Sequence, residues 1–169
     1  MTQPRRALPL PETLPARPGE DGVALGPLDS FIGMHLRQAY ERAYADFETL
    51  LGPDSLRPGY YTMLTLILNN PGISQVEIGR AAGRDKSSVT KALRSMEDGG
   101  LITRTRVEDD RRSYASTITP AGRALHARME RRAREHLANI HAALGTPERA
   151  ADFLEMLRAV IAALPARHG

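Results

Sequence analysis

Apolar side chains recur at helical spacing along most of this chain, and residues that end helices or turn the backbone separate the runs. From Asp29 to about Leu51, Phe31, Ile32, Leu36, Ala39, Tyr40, Ala43, Tyr44, Phe47, Leu50 and Leu51 keep a helical period. Asp29 or Ser30 can cap the start, and Gly52-Pro53 ends it. That stripe is too wide for a helix with one neighbour, so it is either central or packed across a dimer seam. Pro58 opens a second helix through about Asn69. Tyr60, Tyr61, Met63, Leu64, Leu66, Ile67 and Leu68 leave it almost no polar face, which predicts a buried element.

Ser74-Gln-Val-Glu77 is a capping box that starts a short helix, interrupted at Gly83. Asp85 caps a further helix through about Glu97, with Val89, Ala92, Leu93 and Met96 inward and Gly99-Gly100 as a left-handed stop. Leu101 to Arg106 and Ser113 to Ile118 read as two short strands around a charged loop, 107–112. Thr119-Pro120, a cap followed by proline at the first helical position, begins a long helix to about Leu144. Leu125, Met129, Ala133, Leu137, Ile140 and Leu144 line one side, and the other side is basic in its first half. Thr146-Pro147 repeats the device for a last helix bearing Phe153, Leu154, Met156, Leu157, Val160, Ile161 and Leu164. The predicted fold is mainly α with a small β-wing: a winged helix-turn-helix.

Composition narrows the function. The 169 residues suffice for one compact domain with extensions. Residues 1–27 hold six of the twelve prolines and no periodicity, as expected of a disordered or extended arm. Arg5, Arg6 and Arg17 are offset there by Glu12, Glu20 and Asp21. Cysteine is absent, which excludes disulfides, thiolate metal sites and a cysteine-based peroxide sensor. His35, His126, His136, His141 and His168 fit no metal-ligand spacing, so no metal and no cofactor are expected. No apolar run has the length of a membrane span and no signal peptide is visible, which predicts a cytoplasmic protein without membrane contact. Aromatics make up only 5% of residues, too few for a base-stacking platform on single strands.

The segment from Ser74 to Thr119 carries the chemistry. All but two of the 23 basic residues are arginines, and the two lysines, Lys86 and Lys91, both fall in the helix capped by Asp85. Its outward positions are Lys86, Ser87, Ser88, Thr90, Lys91 and Arg94, with no acid between Asp85 and Glu97. Short hydroxyls allow close approach to a groove floor, while cationic chains reach guanine edges or phosphates. Ser74 and Gln75, at the head of the bracing helix, join the candidate contacts, as do Asp110, Arg111 and Arg112 at the hairpin tip. Between 80 and 112 nine basic residues face six acidic ones, so the case for double-stranded DNA rests on placement and not on net charge.

The stretch from Asn70-Pro-Gly-Ile-Ser-Gln through Asp85-Lys-Ser-Ser-Val-Thr-Lys, Gly100-Leu-Ile, Asp110-Arg-Arg and Thr119-Pro-Ala-Gly122 resembles the MarR (multiple-antibiotic-resistance regulator) family. The resemblance covers roughly residues 29–164. It implies a homodimer with one winged domain on each half of a pseudo-palindromic operator, and repression relieved by a small ligand. The implied organisation is an arm at 1–27, a dimerisation helix at 28–56, the DNA-binding domain at 57–119 and dimerisation helices at 120–164. Arg57 departs from the pattern, standing where many relatives carry a capping Ser or Thr. In the family, effectors bind where the dimer helices meet the winged domain. The residues that can line such a pocket are Phe31, His35, Arg37, Tyr40, Tyr60, Tyr61 and Met63, with Arg104 and Arg106 at the wing's base. Aromatic walls and cations suit an aromatic carboxylate or an aryl-CoA thioester. Segments 33–40 and 70–75 resemble those of relatives that control catabolism of plant-derived aromatic acids.

Three other classes compete with this reading. One is a constitutive repressor or architectural DNA-binding protein without an effector. Another is a winged module that binds protein. The third, a small helical enzyme, lacks a nucleophile elbow, a phosphate loop, a metal-ligand pair or a Gly-rich cofactor turn.

Overall fold

The computed structural model describes residues 23–52, 59–107 and 110–164, while the side chains of 107–113 lie outside the description. Most of the proline-rich arm, Arg57 and Pro58 therefore fall outside the described residues. The chain divides into two compact units within its first long helix, between Arg42 and Ala43.

In the first unit a 3-10 turn, Gly26–Ser30, leads into helix α1, Ile32–Leu51. Asp29 and Ser30 belong to that turn, where the Ser30 hydroxyl donates to the Pro27 carbonyl. Phe31, Ile32 and Tyr40 are exposed.

The second unit holds the end of α1 and all other elements. They are α2 (Gly59–Asn69), strand β1 (Ile73–Ser74), α3 (Gln75–Ala82), α4 (Lys86–Asp98), β2 (Ile102–Val107), β3 (Asp110–Ile118), α5 (Pro120–Leu144) and α6 (Pro147–Ala163). Local chemistry sets most of these boundaries. The Ser74 hydroxyl accepts from the Glu77 amide and the Glu77 carboxylate accepts from the Ser74 amide, closing the capping box. Gly83 takes the left-handed conformation, φ 62°, that ends α3. Asp85 accepts from the Ser88 amide at 2.8 Å, and Thr119 and Thr146 cap α5 and α6 ahead of their prolines. Of the two glycines after α4 only Gly100 is left-handed, φ 68°, whereas Gly99 lies at −79°.

The sheet runs β1-β3-β2, all antiparallel. The two-residue β1 was not foreseen, being too short to show alternation. Asp110, Arg111 and Arg112, expected in the loop, begin β3 instead, and the hairpin register shifts between Arg106 and Val107.

Met63, Leu64 and Ile67 of α2, Ile78 of α3, Val89, Leu93 and Met96 of α4, Ile102 of β2 and Met129 of α5 are sealed in one core. Each such side chain contributes roughly 1.5–3 kcal/mol by leaving water. The inward side of α2 matches the buried element expected from its sequence. Beside the core a polar and aromatic ladder ties helices together. Thr65 Oγ1 lies 2.8 Å from His126 Nε2, and His126 stacks on Tyr61. Tyr61 meets Phe47 edge-on, and Phe47 stacks on His136. His136 Nδ1 donates to Asp46 at 2.6 Å, and Asn139 donates to the same carboxylate.

The apolar stripe of α5 is buried only in its first half, at Leu125 and Met129, and Leu137 is 52% exposed. On α6 Leu154, Met156 and Ile161 are exposed, as is Leu164 just beyond it.

Candidate nucleic-acid interface

Helix α3 braces α4 through Ile78, whose side chain is sealed with Val89 in the core. That leaves the polar side of α4 facing outward. Asp85, Lys86, Ser87, Thr90, Lys91 and Arg94 line an open concavity of about 680 Å³. Five of these six were singled out from the sequence as DNA contacts, and Asp85 is the capping residue. The Ser88 hydroxyl, by contrast, turns back to the Asp85 carboxylate at 2.6 Å. That bond and the Ser88 amide hold the Asp85 carboxyl below its usual range, so the cap stays charged. The Ser74 hydroxyl does the same for Glu77.

Gln75 and Thr90 touch each other. Gln75 Nε2 donates to Thr90 Oγ1 at 2.6 Å, while the Thr90 hydroxyl donates to the Lys86 carbonyl at 2.6 Å. Ser74 serves as the helix cap, so its hydroxyl is engaged within its own turn.

The wing's base is equally ordered. The Arg104 side chain is only 8% exposed and pairs with Glu97 at 3.6 Å. Its guanidinium lies 4.6 Å above the Tyr114 ring. Arg106 Nε donates to the Tyr114 hydroxyl at 3.2 Å, which lowers the tyrosine's pKa from its ordinary value. The strand carrying Asp110, Arg111 and Arg112 continues from this base, and their side chains lie outside the description.

A second concavity, about 380 Å³, opens beside the first. Tyr44, Gly59, Tyr60, Met63, Arg84, Ser88, Lys91, Ala92 and Ser95 line it. Of the residues expected around a ligand it gathers Tyr60 and Met63. Tyr61 packs between Phe47 and His126 instead, and Arg104 and Arg106 bracket Tyr114. In the first unit His35 Nε2 donates to the Asp29 carbonyl at 2.6 Å, and Arg37 pairs with Glu41 at the surface. Sequence reasoning missed Tyr44, Arg84 and Ser95. Tyr44 was read only as part of an apolar stripe, and Arg84 sits in the turn between two helices, where nothing local marks it. Lys91 lines both concavities.

No helix among the described residues is long and apolar enough to cross a membrane.

Residues 56–114 match the model of the MarR family. A putative transcriptional regulatory protein for the hcr operon of Thauera aromatica is 35% identical over 125 residues, 73% of this chain and 75% of that protein. Among solved structures, the transcriptional repressor CouR bound to a 23-mer DNA duplex superposes with a TM-score of 0.74 at 33% identity, covering 82% of this chain and 98% of CouR. CouR bound to p-coumaroyl-CoA gives a TM-score of 0.76 at 28% identity, covering 84% of this chain and 99% of CouR.

Proposed function

This chain belongs to the MarR family of transcriptional regulators, and from that premise we propose that it represses transcription as a homodimer on a pseudo-palindromic operator. The observation that carries this reading is the cationic, hydroxyl-rich face of α4 around the larger concavity. Ser87, Thr90 and Arg94 are the proposed groove contacts, and Lys86 and Lys91 on the same helix are proposed to hold phosphates. Arg111 and Arg112 on the wing are the proposed backbone contacts. The chain is read as a binding protein and not as an enzyme.

The exposed apolar residues of α6 and of the start of α1 are assigned to the dimer seam. Burying Leu154, Met156, Ile161 and Leu164 against a second copy would favour association by roughly 1.5–3 kcal/mol per side chain. A twofold dimer holds two reading helices about 34–36 Å apart, the spacing of successive major grooves.

The proposed effector is an aromatic acid or aryl-CoA thioester. Support comes from the relative CouR, bound to p-coumaroyl-CoA, and from the second concavity, where two tyrosines stand beside Arg84 and Lys91. An anion held there draws on Lys91, a cation that the DNA face also uses. A ligand releases DNA only by favouring the state that binds DNA poorly. Aromatic acids and their CoA thioesters should be titrated against the operator-bound protein. Release by at least one of them supports the assignment. If none shifts the DNA affinity, the protein is a repressor without such an effector.

A further inference from the structure

We propose that Arg104 is a positioning residue for DNA reading, acting through Gln75 to fix Thr90 on the reading helix. This rests on the DNA-binding reading above and is independent of any effector.

Three elements meet at these residues. Arg104 Nη2 donates to Gln75 Oε1 at 3.4 Å, joining β2 to the head of α3. Gln75 Nε2 then donates to Thr90 Oγ1, and the Thr90 hydroxyl donates to the Lys86 carbonyl. The direction of the chain is forced at both ends. A guanidinium only donates and a backbone carbonyl only accepts. Gln75 must therefore turn its oxygen to Arg104 and its amide nitrogen to Thr90. Thr90 must accept from Gln75 and direct its own proton to Lys86.

Arg104 is itself over-determined. Tyr114 lies beneath its guanidinium, Glu97 pairs with it, and Arg106 donates to the hydroxyl of the same tyrosine. Among the described residues its Nε has no hydrogen-bond partner, nor has Ser116 Oγ, which belongs to the residue paired with Arg104 across the sheet. A buried charge with an unmet donor lowers stability, and an apolar residue would pack there more cheaply. What the guanidinium supplies is orientation. It couples the wing's base to the face of α4 that lines the larger concavity, so that wing and reading helix meet one duplex in one register. Thr90, with its hydroxyl held at two points, presents a fixed shape to the groove.

The test compares wild type with Gln75→Met, Arg104→Met, Arg104→Lys and the double variant Gln75→Met/Arg104→Met. The probes are a duplex selected by the wild-type protein and a random duplex of equal length, each titrated at several salt concentrations. Each of the two Met single variants should lose about tenfold in affinity for the selected duplex, the scale of one wrong base pair. Affinity for the random duplex and the salt slope should hold, because no phosphate contact is removed. The double variant should lose no more than either single variant, and Arg104→Lys should recover part of the loss by restoring a donor. Additive losses, an equal loss on random duplex, or a salt slope smaller by about one would each overturn the proposal. If Arg104→Met fails to fold, Arg104→Lys takes its place in the cycle: Gln75→Met/Arg104→Lys should lose no more selected-duplex affinity than Gln75→Met alone, and a larger, additive loss would overturn the proposal.

Discussion

Lys86 and Lys91 were legible in the sequence because charge type and helical phase are local properties. The structure places both on the wall of the larger concavity. Replacing either by alanine should weaken binding to any duplex and reduce the salt slope by about one, as measured by titration across salt. An unchanged slope would remove that lysine from the interface. Ser88 was assigned to the same face, yet it lies one position past the concavity wall and its hydroxyl serves the Asp85 cap. Helical phase alone does not show that a first-turn hydroxyl is engaged by the capping carboxylate. The Gln75–Thr90 bond was invisible because fifteen residues and a turn separate its partners. So was Asp46, whose carboxyl is held below its usual range chiefly by the hydrogen bond from His136. A depressed value in the folded state means that its stabilisation is present above the unfolded value, about 3.9, and is lost as pH falls through the lowered one. Denaturant melts between pH 6 and pH 3 should therefore lose stability less steeply for Asp46→Asn than for wild type. Equal slopes would show that the His136 contact does not discriminate between charged and neutral Asp46.

Helix boundaries followed from capping chemistry within four residues of each end, which is why the start of α5 and the capping box of α3 matched their sequence signatures. The sheet was harder, since its pairing depends on distant chain: β1 gains its identity from β3, and β3 extends into what reads as a charged loop. The junction of wing and α5 explains the Thr-Pro-Ala-Gly run physically. The Thr119 hydroxyl donates to the Gly100 carbonyl at 2.7 Å while accepting from the Gly122 amide at 3.0 Å. Gly122 lies so close to the Leu101 carbonyl that an added Cβ would overlap it, and would sit 2.8 Å from Ile118 Cγ1. Because the first obstacle is backbone, Gly122→Ala should cost about 3 kcal/mol in urea unfolding. Thr119→Ala should cost about 1 kcal/mol, with Thr119→Ser near wild type. A Gly122→Ala protein as stable as the parent would mean that α5 slides freely on the wing.

At the scale of the whole molecule, the surplus apolar surface of the first and last helices was readable as pattern, and the structure leaves much of it exposed. Ile161 is 76% exposed and Leu154 is 47% exposed. A charge at both positions, Leu154→Glu with Ile161→Glu, should yield a monomer by sedimentation and sharply reduce affinity for a two-half-site duplex. Binding to one half-site should change far less. A double variant that remains dimeric would place the seam elsewhere. The proposed function requires selective recognition of duplex DNA by a symmetric pair of reading helices. Its most direct test is an equilibrium titration of a selected palindromic duplex at near-physiological salt, competed by random duplex. The predicted result is two chains per duplex and at least a thousandfold preference for the selected sequence, the lower end for specific binders. Equal affinity for both duplexes, or one chain per duplex, would contradict it.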